Sequence, residues 1–277
     1  MRSKTILVSL LIGYCVGLFA NSAKGEIVDV SYSDGHVHTI NQPMNDTRVF
    51  CSGDSTTVDV VNGGAILDLF TIDNSRGMLS GGTILNNVKA YGNSRVEMTG
   101  GTIGEYGGPN GALDAYDESQ IMVSGGSMNL LEANGHSQAT ISDGMTMIAA
   151  ARENSQLTVY GGAISNLAAL ENGQVAVYGM SSTPMLPILV ADNEGIITLH
   201  GYEFYDDSQQ IGYGKITSIF GGDWGNEPER HIAVRLENGE FYGASFYLGH
   251  NSSIVLVPEP ATLLLLGLGA VVLRKTP

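Results

Sequence analysis

The chain has 277 residues, with 28 Asp and Glu against 13 Lys and Arg, a formal net charge of −15. Five of those 13 basic residues (Arg2, Lys4, Lys24, Arg274 and Lys275) lie in the two end segments, so the stretch between them is more acidic still. Phosphate binding needs a basic face, which excludes nucleic acid as a partner. Of the 2 Cys, Cys15 sits in an N-terminal apolar run, and an internal disulfide in the remaining chain is excluded.

Arg2 and Lys4 precede an apolar run from Thr5 to Ala20, and the small, polar stretch Ala20–Gly25 follows. This three-part plan predicts a secretory signal peptide over 1–25, removed after Ala23 or Gly25. Residues 26–56 are expected to lead into the first repeat. His36 and His38 fall on one strand face by alternation, close to Asp34. Two imidazoles without a clear third ligand are a weak metal signal. Cys51 has no visible catalytic partner and reads as structural.

The body is a repeat. Gly63-Gly64, Gly81-Gly82, Gly100-Gly101, Gly125-Gly126, Asp143-Gly144, Gly161-Gly162 and Gly179-Met180 follow one another at steps of 18, 19, 25, 18, 18 and 18 residues. The long step holds a loop insertion, Tyr106–Gly111. Six residues before the successive pairs stand Ser75, Ser94, Ser119, Ser137 and Ser155, then Gly173. Four residues before that column come Ala90, Ala115, Ala133, Ala151 and Ala169, preceded at two residues' distance by Val88, Leu113, Leu131, Ala149 and Leu167. Apolar residues two apart share one strand face. A single such unit cannot bury that face, whereas stacked units convert the columns into ladders.

The fold class is therefore all-β. We expect a parallel β-helix, right-handed by preference because its inward columns are unevenly spaced, with about seven rungs over Thr57–Met180 inside a 26–180 domain. The Gly pairs supply sharp turns. Ser and Asn at the turns can hydrogen-bond to neighbouring rungs. Residues 181–256 break the period, and Pro184 and Pro187 mark the change. Gly195–Phe204, Lys215–Phe220 and His231–Leu236 read as strands, and Asn238-Gly239 as a hairpin turn. The expectation is a small antiparallel cap closing the coil's edge.

The tail runs from Val257 to Pro277. Ala261–Leu273 is apolar apart from Thr262, and Arg274-Lys275 follows. As a helix, 13 residues span about 20 Å, short of the roughly 30 Å hydrocarbon core. Pro258 and Pro260 stop that helix from running back through Val257. The basic pair favours the cytoplasmic side.

Val257-Pro258-Glu259-Pro260, the apolar span and Arg274-Lys275 together closely resemble the PEP-CTERM sorting signal of Gram-negative bacteria. The basic cluster is brief for that family. The resemblance covers about the last twenty residues. It implies recognition by exosortase, a membrane-embedded cysteine protease-transpeptidase, after passage through the secretion machinery. The body's Gly-Gly repeat resembles autotransporter adhesins in period and composition. The expected role is an exported surface or matrix protein, structural or adhesive, with exopolysaccharide as a conceivable partner.

No catalytic constellation is evident, so the reading is non-enzymatic, without cofactor or metal. The alternative is a β-helix carbohydrate-active enzyme or carbohydrate-binding protein. Against it, Arg76, Lys89, Arg95 and Arg152 do not gather in one column. Arg76 and Arg95 do share one, without carboxylates converging beside them in sequence. Glu153 and Glu171 stack in another column and could take calcium, or could be plain turn residues. Gln120, Gln138, Gln156 and Gln174 form an amide column. The Thr residues form no paired Thr-x-Thr rows of the kind that ice binding would want.

Overall fold

The computed structural model describes residues 27–104, 111–181, 187–206, 208–217 and 230–258. The signal peptide expected over 1–25, the insertion at 105–110, the apolar helix expected over 261–273 and the basic pair Arg274-Lys275 lie outside the described residues. The described chain is all-β, a solenoid of about 8 turns in all. It divides into two compact units, with the boundary after Ala139.

The first unit contains β1 (Val28–Tyr32), β2 (Val37–Ile40), β3 (Pro43–Cys51), β4 (Thr57–Val60), β5 (Ala65–Thr71), β6 (Arg76–Ile84), β7 (Asn87–Ala90), β8 (Arg95–Ile103), β9 (Ala112–Ala115) and β10 (Gln120–Ala133). Two parallel ribbons run through it. One passes β1–β3–β5–β7–β9 to the second half of β10, and the other β2–β4–β6–β8 to the first half of β10. Each coil contributes one strand to each ribbon. A short third ladder joins Ile66, Ile84, Ile103 and Met128. Residues 28–56, expected as a lead-in, are already paired coils.

The columns explain the packing. Val88, Leu113 and Leu131 are buried in one inward row, with Ala90, Ala115 and Ala133 in the next. Small side chains fill that row throughout, with Cys51 and Thr71 buried in it on the coils before Ala90. Beside it, Ser75, Ser94, Ser119 and Ser137 are buried, yet each hydroxyl is satisfied. Ser119 Oγ accepts the Tyr116 N–H at 3.1 Å and donates to Ala90 O of the preceding coil at 3.2 Å. Ser75 and Ser137 repeat the pattern, donating to Cys51 O at 2.8 Å and Ala115 O at 3.4 Å. Each serine closes its own turn and stitches it to the preceding coil, so hydrogen bonds offset the desolvation of a buried polar row.

Four of the seven pairs, Gly81-Gly82, Gly100-Gly101, Gly125-Gly126 and Asp143-Gly144, are bends inside continuous strands, whereas Gly63-Gly64, Gly161-Gly162 and Gly179-Met180 lie between strands. Gly126 has φ +90°, which disfavours a side chain. At Gly125 the reason is proximity: an added Cβ would stand 2.6 Å from Thr99 O on the neighbouring coil.

The boundary falls within β11 (Gln138–Arg152), and the second unit continues with β12 (Gln156–Val159), β13 (Ala163–Leu170), β14 (Gln174–Val177), β15 (Ile188–Asp192), β16 (Ile196–Asp206), β17 (Gln209–Ile211), β18 (Gly214–Thr217), β19 (Arg230–Leu236), β20 (Phe241–Leu248) and β21 (Ser253–Pro258). Its two parallel ribbons run β11–β13–β15–β20 and β12–β14–β16–β21. Parallel coiling thus continues through the region expected to form an antiparallel cap. The antiparallel strands exist as additions: β17 on β16, β19 on β16 and β20, and β18 on β21. The predicted Asn238-Gly239 turn joins β19 to β20, with Leu236 N–H donating to Glu240 O at 3.0 Å. The period disappears because this material is inserted between successive coils: Ile197 pairs with Ile254, 57 positions on.

Candidate functional site

The sorting motif begins inside the fold. β21 lies between β16, to which it is parallel, and β18, to which it is antiparallel. Ile254 and Leu256 are buried on its inner face. Val257 pairs with His200 and Pro258 with Gly201. Pro258 lacks an N–H and so adds no donor to the ladder at the point where the strand ends. Glu259 and Pro260, with Arg274 and Lys275, lie outside the described residues. The sequence places the start of the tail at Val257; the structure carries folded strand two residues further.

Exposed and half-buried aromatic side chains surround that exit. Gly214 pairs with Leu256, which sets Tyr213 opposite Val257, and Tyr213 is 49% exposed. Its ring meets buried Phe204 edge-on at 5.7 Å. On the other side Tyr202 follows Gly201 and pairs with Arg235, which pairs with Phe241. The Arg235 guanidinium lies 5.9 Å over both rings, and its Nε donates to Glu203 at 3.1 Å. Asp206, Tyr213, Lys215 and Leu256 help to line an open cavity of about 340 Å³.

Elsewhere the outward columns bring charged groups together. Lys89, Asp114 and Glu132 are register partners on three successive coils. Asp114 points away from the core between inward Leu113 and Ala115, yet is only 6% exposed. Burial pushes its carboxyl up to about 6, against the pull of Lys89 and with a further push from Glu132. The Tyr116 phenol donates to it and is itself pushed up to about 12, first by burial and then by the Asp114 charge. Asp114 Oδ1 is buried with no hydrogen-bond partner among the described residues. Sequence reading passed over this column, although its residues directly precede Ala90, Ala115 and Ala133.

Arg76 and Arg95 are adjacent in register and both bond Glu97, Arg95 Nε at 2.6 Å. The converging carboxylate that the sequence reading did not find is two residues beyond Arg95, on the same strand face. Arg95 and Arg76 are thereby held by a carboxylate of their own sheet.

At the N-terminal end, His38 Nε2 and Asp34 Oδ1 are 2.8 Å apart, and the His38 ring stacks on Tyr32 at 4.0 Å. The His38 hydrogen bond, joined by the His36 N–H, holds the Asp34 carboxyl below its usual range. His36, its side chain 79% exposed, sets Nδ1 2.8 Å from Asp34 O and 3.6 Å from Asp34 Oδ1. No group of three His, Cys, Asp or Glu among the described residues could hold a metal ion. The Glu153 and Glu171 positions are exposed turn corners with φ 57° and 53°. Cys51 is buried, and burial raises its thiol pKa.

Residues 256–275 match the family model of the PEP-CTERM protein-sorting motif. No curated protein and no solved structure matches the chain. The motif indicates an exported protein processed by exosortase, held transiently at the membrane through its tail. No helix among the described residues is long and apolar enough to cross a membrane, which says nothing of a β-barrel.

Proposed function

We propose that this is a non-enzymatic surface or extracellular-matrix protein, structural or adhesive, whose rigid acidic coil is displayed outside the cell after exosortase processing. One observation carries the reading: the sorting motif continues directly from the last strand of a solenoid, so the tail delivers a stiff folded body. The secretory signal over 1–25 and a membrane span over 261–273 belong to the same reading. An exopolysaccharide is the partner of choice for an extended outer face of this kind. Replacing Pro258, Glu259 and Pro260 with alanine is expected to leave the precursor's tail uncleaved. An unchanged mature C-terminus by mass spectrometry would remove the sorting function. Failure of the purified body to be retained on the organism's own exopolysaccharide would remove the adhesive part alone.

A second reading, carbohydrate-active chemistry, is favoured by the Lys89–Asp114–Glu132 column, since a carboxyl titrating near 6 beside a second carboxylate suits proton transfer. Its weakness is access, because Asp114 Oδ1 is buried. Turnover of acidic or neutral polysaccharides by the wild type, abolished in Asp114→Asn, would establish it.

A further inference from the structure

The exit of the sorting tail has its own surface chemistry. Two residues separate Pro258 from Ala261, where the apolar span begins, a reach of about 10 Å even fully extended. If the span is in the bilayer, the end of the second unit is held against the headgroup layer. The side chains there suit that layer. Tyr213 and Phe241 are 49% and 53% exposed. Half-buried Tyr202 and Tyr205 lie between them, and Phe241 meets Tyr205 at 6.3 Å. Tyrosine, an apolar ring with a polar tip, favours the membrane–water interface, and an exposed phenylalanine ring gains by burial at the headgroup–acyl boundary. The net charge on this face is negative: Arg235 is paired with Glu203, exposed Lys215 shares the cavity lining with Asp206, and Glu237 and Glu240 stand in the β19–β20 turn. That composition fits zwitterionic rather than anionic lipid.

The geometry points to this aromatic face as a membrane-docking surface: while the tail is inserted, Tyr213 and Phe241 enter the headgroup layer of a zwitterionic phospholipid bilayer. The docked face fixes the body's orientation and the depth at which Pro258 is presented. The inference rests on the tail's entering the membrane.

The test uses the full chain in phosphatidylcholine vesicles. Tyr213→Trp, Phe241→Trp and, as a control, Tyr160→Trp are each made in a Trp224→Phe background. Tyr160 is 55% exposed but lies on the coil wall, three strand spacings or about 14 Å from the Val257 row. Tryptophan at 213 and 241 is expected to lose about half its emission to lipids carrying a quencher near the headgroup, and tryptophan at 160 much less. If position 213 or 241 is quenched no more than position 160 in vesicle-bound protein, the docking surface is overturned. If the protein does not float with the vesicles at all, the membrane reading of the tail fails instead.

Discussion

The first unit and the β16–β21 part of the second use the same kind of parallel coil to different ends. In the first unit nearly every column is spoken for. Valine, leucine and alanine fill the interior, serines knit the turns, and Arg76, Arg95 and Glu97 are paired on the wall. Around β16–β21, inserted antiparallel strands interrupt the coil, and aromatic side chains replace the small-residue ladders. Regular stacking therefore supplies stability, while departures from it collect where the tail leaves the body. A repeat can tolerate insertions between rungs because each coil contacts mainly its neighbours.

The comparison is sharpened most by the core. Leu113→Ala removes a fully buried side chain from the regular ladder and is expected to destabilise by about 2–5 kcal/mol in denaturant unfolding. Phe241→Ala, a change of similar size at the decorated end, is expected to stay within about 1 kcal/mol, since that ring is 53% exposed. Equal losses would remove the distinction.

The next effect concerns Asp114. Its folded-state pKa is about 6, above the unfolded carboxylate value of about 3.9. The folded state therefore binds the proton more tightly. The resulting stability is fully present below about pH 4 and is lost as pH rises through about 6. Asp114→Asn is expected to gain roughly 2 kcal/mol at pH 8 relative to wild type, with little gain at pH 4, read as Tm against pH. A gain independent of pH would show that the carboxyl's charge is not what burial opposes.

Ser119→Ala comes third. It removes the hydroxyl that bridges the Tyr116 N–H and the Ala90 carbonyl, which stay bonded to each other at 2.9 Å. A loss of about 1 kcal/mol is expected, with modestly faster hydrogen exchange at Tyr116. A silent change would mean that the serine column is filler rather than stitching. The smallest effect falls on Arg48→Ala, which breaks a partly exposed pair with Asp29 at 2.9 Å. Less than about 1 kcal/mol is expected, shrinking in high salt.

How much of this was legible in the sequence follows from the same contrast. The serine and alanine columns are visible because corner geometry admits few residue types, so each coil repeats them. The parallel coil beyond residue 180 is hidden because the β17–β19 additions stretch an 18-residue step to 57, and no column survives such a gap. The Lys89–Asp114–Glu132 row is hidden for another reason. This outward row follows no single residue type, and only register shows that three different side chains are neighbours. The start of the tail was placed from motif alone, and Val257 carries no local sign that it is also a strand partner of His200.

That partnership gives the mature protein a mechanical property. If the body is tethered at its C-terminus, a pull is applied along β21. The strand is bonded on one side to β16 and for most of its length on the other to β18. Tension along a strand flanked in this way loads many ladder hydrogen bonds at once in shear, instead of opening them one at a time from an end. The segment that serves as an address during export is thus also built as the grip by which a tethered body would resist being torn away.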